Sequence, residues 1–125
     1  MTFVRTAAEL SRSYIDAHNN HDLDGLLALV ADDVDFKRAG EPALRGKAAV
    51  RRQYLEDWQG HEHVVVTVKL VLQTGHVAAA EIHVDSGVPA NVHYDGIVVH
   101  HWNDQGRLVR YRLYIDEVTS AETQV

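Results

Sequence analysis

Tyrosines and histidines are the groups here that could hold or move a proton near neutral pH; the chain has no cysteine, which excludes thiolate chemistry and disulfides. Tyr14 stands on the same helical face as Leu10 and Ala17, which points its phenol at a core. A buried phenol must find a hydrogen-bond partner or line a cavity, and both readings are open for Tyr14. His18 follows one turn later. His83 has Glu81 and Asp85 on its own strand face, which reads either as a polar outer surface or as a carboxylate-oriented base. His100 shares a strand face with Val98 and Trp102, whereas His101 points to the other side. Adjacent strand residues cannot chelate one metal in regular geometry. No HxH or HxxxH pair coincides with a carboxylate on one buried face, so no metal site is expected. His61 and His63 flank the start of a strand and read as solvated.

The elements that must position these groups fall into a helical first half and a stranded second half. Thr6 with Glu9 forms a capping box ahead of a first helix. Ser13 to Phe36 then organises the chain: a helix end, the polar turn Asn19-Asn20-His21-Asp22, a second helix from Leu23 to Val30, and Ala31-Asp32-Asp33 before strand residues Val34 to Phe36. Lys37 to Pro42 is a turn-forming loop. Its Arg38 is either a solvated charge or a cation that would select a carboxylate, enolate or phosphate. A third helix runs from Lys47 to about Gln59 and stops at Gly60; Val50, Tyr54 and Trp58 recur every four residues along its buried stripe. Tyr54 and Trp58 read first as core aromatics, with a place in a ligand pocket as the other reading.

Strands follow. His63 to Gln73 carries Val64, Val66, Val68, Leu70 and Leu72 on one face, and Val77 to Asp85 carries Ala78, Ala80, Ile82 and Val84. Ser86 to Ala90 is a loop, His93 to Asn103 a long strand, Asn103 to Gly106 a hairpin turn, Arg107 to Val118 the last strand, and Thr119 to Val125 a tail. Three helices followed by four hairpin-joined strands is a segregated α+β pattern. We expect a cone-shaped, curved antiparallel sheet with the three N-terminal helices packed on its concave face, as one domain over residues 1–125. Such a cone can enclose a pocket.

Composition bounds the function classes. With 46% hydrophobic and 24% charged residues the chain is an ordinary globular composition, and a formal charge of -6 argues against nucleic-acid binding. The apolar runs are far too short for a membrane span, and the N-terminal MTFVRTAAEL lacks an apolar secretory core, so a cytoplasmic location is expected.

Three stretches carry a family resemblance: Asn19-x-x-Asp22-Leu23-Asp24-Gly25 with Ala31-Asp32-Asp33; Leu44-Arg45-Gly46-Lys47-x-Ala49-Val50-Arg51; and Gly106-Arg107-Leu108-Val109 leading to Tyr114-Ile115-Asp116. Across essentially its whole length the chain resembles the nuclear-transport-factor-2-like superfamily, which includes SnoaL-like polyketide cyclases, ketosteroid isomerases and limonene epoxide hydrolases. The resemblance is specific for the fold and poor for the reaction. It implies that Tyr14 occupies the oxyanion-hole Tyr position of the isomerases, with Tyr54 near a second, supporting Tyr. It also places Arg38 where those enzymes have an Asp base and Val98 where they have a protonated Asp, so the isomerase mechanism is not supported. The Asp-Arg-Asp set of the epoxide hydrolases would fall near Ile82 to Asp85, as His83-x-Asp85 at best, and on Leu113 with Asp116 close by. By the same alignment Val98, His100 and Trp102 look inward, as do Tyr111, Leu113 and Ile115. A buried His100 would stay neutral and available for acid–base work.

The resulting expectation is a small-molecule enzyme acting on a hydrophobic polyketide- or terpenoid-like substrate by cofactor-free cyclisation, isomerisation or dehydration. Tyr14 would polarise or protonate an oxygen, and His100, or His83 with Asp85, would move the proton. His18, Arg38, Tyr54, Trp58, Val98, Trp102 and Leu113 would contact the substrate. A homodimer through the outer sheet face is expected. The alternative is a non-catalytic ligand-binding or dimerisation module of the same fold.

Overall fold

The structure, a computed structural model, describes residues 5–59, 64–87 and 92–120. Thr6 accepts from the Glu9 amide while the Glu9 carboxylate accepts from the Thr6 amide, so the expected capping box opens α1 (Ala7–Asn19). Ala7, Leu10, Ser11, Tyr14 and Ile15 recur at helical spacing and form its buried face. His21 supplies the left-handed residue of the turn (φ 51°), and the Asp22 carboxylate accepts from the Gly25 amide at 3.0 Å to start α2 (Leu23–Ala28). This helix stops short of the expected Val30. The Leu29 carbonyl instead accepts from the Leu108 amide at 2.7 Å, which draws the chain straight into β1 (Val30–Arg38).

β2 (Leu44–Arg45) returns against β1, and α3 (Lys47–Trp58) follows, burying Val50 and Tyr54. Then come β3 (Val65–Thr74), β4 (Val77–Asp85), β5 (Val92–Trp102) and β6 (Leu108–Ser120). The fold is α+β as expected: an unclosed, curved sheet with α1 packed over β3, β4 and β5, and α3 over β1. The sheet, however, has six strands in the order β2-β1-β6-β5-β4-β3, and β1 runs parallel to β6. Hairpin counting finds only the four antiparallel strands, because β1 joins through a pairing distant in sequence.

One-residue bulges also depart from simple alternation, at Lys69 in β3 and at Val109 and Asp116 in β6. Between β3 and β4 the register shifts at Lys69, so Val66, Val68 and Val71 pack on the core while Leu70 and Leu72 turn outward, 51% and 62% exposed. Between β5 and β6 it shifts at Asp116; Tyr111 and Leu113 face inward as expected, but Ile115 is 36% exposed. The free edge of β3 is partly closed by a side chain: Asn19 accepts from the Val66 amide and donates to its carbonyl, both at 2.8 Å. Thr119 and Ser120, expected in the tail, belong to β6. Gly60, His61, His63, Pro89 and residues 121–125 lie outside the described residues.

Candidate functional site

Between the helices and the concave face of the sheet lies a cavity of about 230 Å³. That exceeds the roughly 150 Å³ of an engineered apolar cavity able to hold benzene. Its walls are largely apolar, with Val66, Ile82, Val84, Val98 and Leu113 from four strands. Polar groups enter from three directions. The α1 helix contributes Tyr14 and His18, one turn apart; α3 contributes Tyr54, Asp57 and Trp58; the sheet contributes Arg38, Tyr94, His100 and Tyr111.

Tyr14 and Tyr54 resolve the question the sequence leaves open, because they do both things a buried phenol can do. Their hydroxyls lie 2.6 Å apart, and both rings line the cavity. Burial pushes both phenols well above their ordinary pKa, as it does for Tyr111. Each is therefore a neutral hydrogen-bond donor near pH 7, and Tyr14 suits polarising an oxygen rather than surrendering a proton. The Tyr111 ring stacks on Phe36 at 4.2 Å and packs against Tyr14 and His100, which fixes this floor from below.

His100 is buried, and desolvation pulls its pKa down from 6.5 to about 3, with the charge of His101 adding to the effect. Its Nδ1 lies 2.7 Å from the Ser11 Oγ, which also accepts from the Trp102 indole Nε1 at 3.1 Å. Its Nε2 is buried with no hydrogen-bond partner among the described residues, and so is the indole Nε1 of Trp58. His18 sits edge-on to both Tyr54 and Trp58, and its Nδ1 is 3.4 Å from the Asn19 Oδ1. With Nδ1 as the donor, Nε2 of His18 is left to accept. Burial lowers the pKa of His18, which favours its neutral form. Trp58 is held in place by His21 of the turn, stacked at 4.6 Å and 10°.

Arg38 is neither of the things expected of it. Its guanidinium grips Asp57 with two nitrogens, at 2.5 and 3.2 Å, and Glu41 at 2.8 Å, while Gln53 donates to Asp57 at 2.9 Å. Arg38, Asp57 and Glu41 all line the cavity, so the charge there is neutralised rather than left free to select an anion.

Five of the expected contact residues besides Arg38 line the cavity: His18, Tyr54, Trp58, Val98 and Leu113. Trp102 does not; its indole is drawn to Ser11 behind His100. Tyr14 and His100 come together, their rings 5.2 Å apart. His83 and Asp85 form no dyad and lie apart from the cavity. Same-face neighbours along a strand are farther apart than directly paired residues across strands, and His83 pairs with Asp95, its Nδ1 2.9 Å from that carboxylate. Asp85 accepts from the Gly87 amide and faces His93. Two residues that sequence reasoning missed are Ser11 and Asp57. Each stands three places from a Tyr on the same helix, so helical spacing from Tyr14 and Tyr54 was the available signal.

With this geometry in view, a family model described as SnoaL-like domain matches residues 11–111. Similar solved structures include an epoxide hydrolase of the limonene-epoxide-hydrolase-like kind from M. tuberculosis (23% identity, TM-score 0.75, 88% of this chain and 82% of that one). A SnoaL-like protein of unknown function from Burkholderia thailandensis is 22% identical (TM-score 0.77, 93% and 100%). The epoxide hydrolase/cyclase-like enzyme SalBIII, of pyran ring formation in the polyether salinomycin, is 14% identical (TM-score 0.81, 91% and 95%). At these identities the likeness is one of fold. No curated protein sequence matches the chain.

Proposed function

Because the chain belongs to the SnoaL-like domain family, we propose that it binds a hydrophobic, polyketide- or terpenoid-like small molecule and transforms it by proton transfer without a cofactor. One observation carries this: His100 Nε2 and Trp58 Nε1, the buried side-chain polar atoms without a partner among the described residues, both belong to residues lining a largely apolar cavity. Native folds seldom strand such groups, and a ligand bearing oxygens would satisfy them. Tyr14 polarises the reacting oxygen. His18 through Nε2, or Asp57, takes the proton, and the enclosing walls hold a flexible substrate in reactive geometry. Cyclisation, isomerisation and dehydration all fit that equipment.

A non-catalytic ligand-binding role is the second reading. It is favoured by the state of the cavity's two carboxylates, since Asp57 and Glu41 are both committed to Arg38.

Thermal shift against hydrophobic ketones, phenols, steroids and polyene acids tests the proposal. A ligand at a hundredfold excess over its Kd should add about 2.7 kcal/mol of stability, visible as a higher Tm. Tyr14→Phe should weaken binding roughly ten-fold, as expected for one lost hydrogen bond in a dry site. If no class of compound stabilises the wild type, the pocket reading fails; turnover of a stabilising compound then separates enzyme from binder.

The outer face supports a second expectation. Leu70, Glu81, Ile97 and Tyr114 are paired in one row across β3 to β6, and Leu70, Ile97 and Tyr114 are 51%, 46% and 56% exposed. We propose that this row is the centre of a homodimer interface. Light scattering should give twice the chain mass for the wild type and the single mass for Ile97→Lys; a monomeric wild type at micromolar concentration would refute it.

A further inference from the structure

We propose that Ser11 is a positioning residue that locks His100 in the Nε2–H tautomer, so that the cavity floor presents two neutral donors, Tyr14 and His100, to one proton-free ligand oxygen such as that of a ketone, enolate or phenolate.

The lock follows from counting protons. The Trp102 indole nitrogen can only donate, so at 3.1 Å the Ser11 Oγ must accept from it. The Ser11 hydroxyl proton then needs an acceptor, and among the described residues the one other group within bonding distance is Nδ1 of His100, at 2.7 Å. Ser11 therefore donates to Nδ1. A neutral imidazole whose Nδ1 accepts carries its proton on Nε2. The opposite tautomer would aim two donors at one Oγ and leave the serine proton without an acceptor, in a residue with no exposure at all. Ser11 and Trp102 are not cavity-lining, whereas His100 is, so the relay approaches the imidazole from behind. His100 Nε2 is the ring atom left without a partner.

Tyr14 completes the pair. One hydrogen bond between the Tyr14 and Tyr54 hydroxyls, in which either oxygen could donate, leaves one phenolic proton over; the two-donor floor is the arrangement in which Tyr54 donates and that proton is Tyr14's. The Tyr14 and His100 rings are 5.2 Å apart, close enough for both donors to address one oxygen. In this arrangement His100 cannot accept a proton through Nε2, so it stabilises charge on oxygen and leaves proton removal to another group, much as a neutral histidine acts when its acid form is suppressed. The tautomer stands on protein geometry alone. The ligand class rests on the reading of the cavity as a ligand pocket.

Long-range proton–nitrogen correlation spectra of histidine-labelled protein, assigned with His100→Gln, test the lock without any ligand. The wild type should show His100 with a bare Nδ1 and a protonated Nε2 from pH 5 to 8. Ser11→Ala should shift both nitrogens towards averaged values, and so should Trp102→Phe, which frees Ser11 to accept from Nδ1. An Nδ1–H pattern in the wild type, or unchanged nitrogen shifts in either variant that folds, overturns the proposal. For the ligand class, 2-acetylnaphthalene is compared with 2-isopropenylnaphthalene, its near-isostere lacking an acceptor. The wild type should bind the ketone at least about ten-fold more tightly, falling to under about three-fold in Ser11→Ala. Equal binding in the wild type overturns the two-donor floor. Failure of both compounds to bind overturns the ligand class and leaves the pocket reading to the wider panel, while an intact Nε2–H tautomer would still uphold Ser11 in its role.

Discussion

Between pH 6.5 and pH 4.5 the folded state should lose about 2 kcal/mol through His100 alone, and a His100→Gln variant should be spared that loss. The cause is burial against Tyr14, Tyr111, Ser11 and Trp102, none of which carries charge, with His101 nearby; together they take the imidazole from 6.5 to about 3. Below pH 6.5 the unfolded chain binds a proton at this residue and the folded chain does not. Stability is therefore complete above that pH and drains away as pH falls towards 3, by about 1.4 kcal/mol per pH unit at the steepest. Carboxylates do not enter the upper part of this window. Asp35 and Asp95 have depressed pKa values, held down first by the hydrogen bonds from Arg112 and from His83 respectively, so they begin to weaken the fold only in stronger acid. His18 is lowered by burial too and contributes with the same sign, so the comparison must be between variant and wild type rather than with a fixed slope. Urea unfolding at the two pH values measures it. Equal losses in the two proteins would mean that His100 is protonated in the fold or lies in contact with water.

The same residue shows how far the sequence could be read. That Val98, His100 and Trp102 share one face of β5 was legible from their alternation, and the family resemblance marked that face as the inward one. The partner of His100 was not legible. Ser11 is 89 positions away, and only the packing of α1 across the sheet brings it to the imidazole. Arg38 illustrates the same limit from the other side. The resemblance put Arg38 at the isomerases' base position and the sequence read it in a loop; the structure extends β1 through it, and its neutralisation by Asp57 depends on how α3 is laid over β1, which no local pattern encodes. His83 was read along its own strand, towards Asp85, when the nearer neighbour was Asp95 across the ladder. Periodicity thus places side chains on faces, while partners across elements need the register.

Register is also where the second large effect is expected. Gly96→Ala should cost about 3 kcal/mol, at or above the usual range for overpacking. A Cβ at this position would lie 2.4 Å from the Tyr114 carbonyl oxygen and 3.4 Å from its carbonyl carbon, both of them backbone atoms that cannot rotate aside. The close approach is a product of the bulge: Asp116 is the extra residue, and Gly96 pairs with Ile115 immediately beyond it. Relief requires β6 to move away from β5. That strand carries Tyr111 and Leu113 into the cavity, so the damage should extend from stability to the site. Urea unfolding should show a lower midpoint, and any compound that stabilises the wild type should stabilise Gly96→Ala less. A variant within about 0.5 kcal/mol of wild type would show that the strands separate there at little cost. The bulge would then be a tolerated irregularity rather than a constraint on how β6 lies against β5.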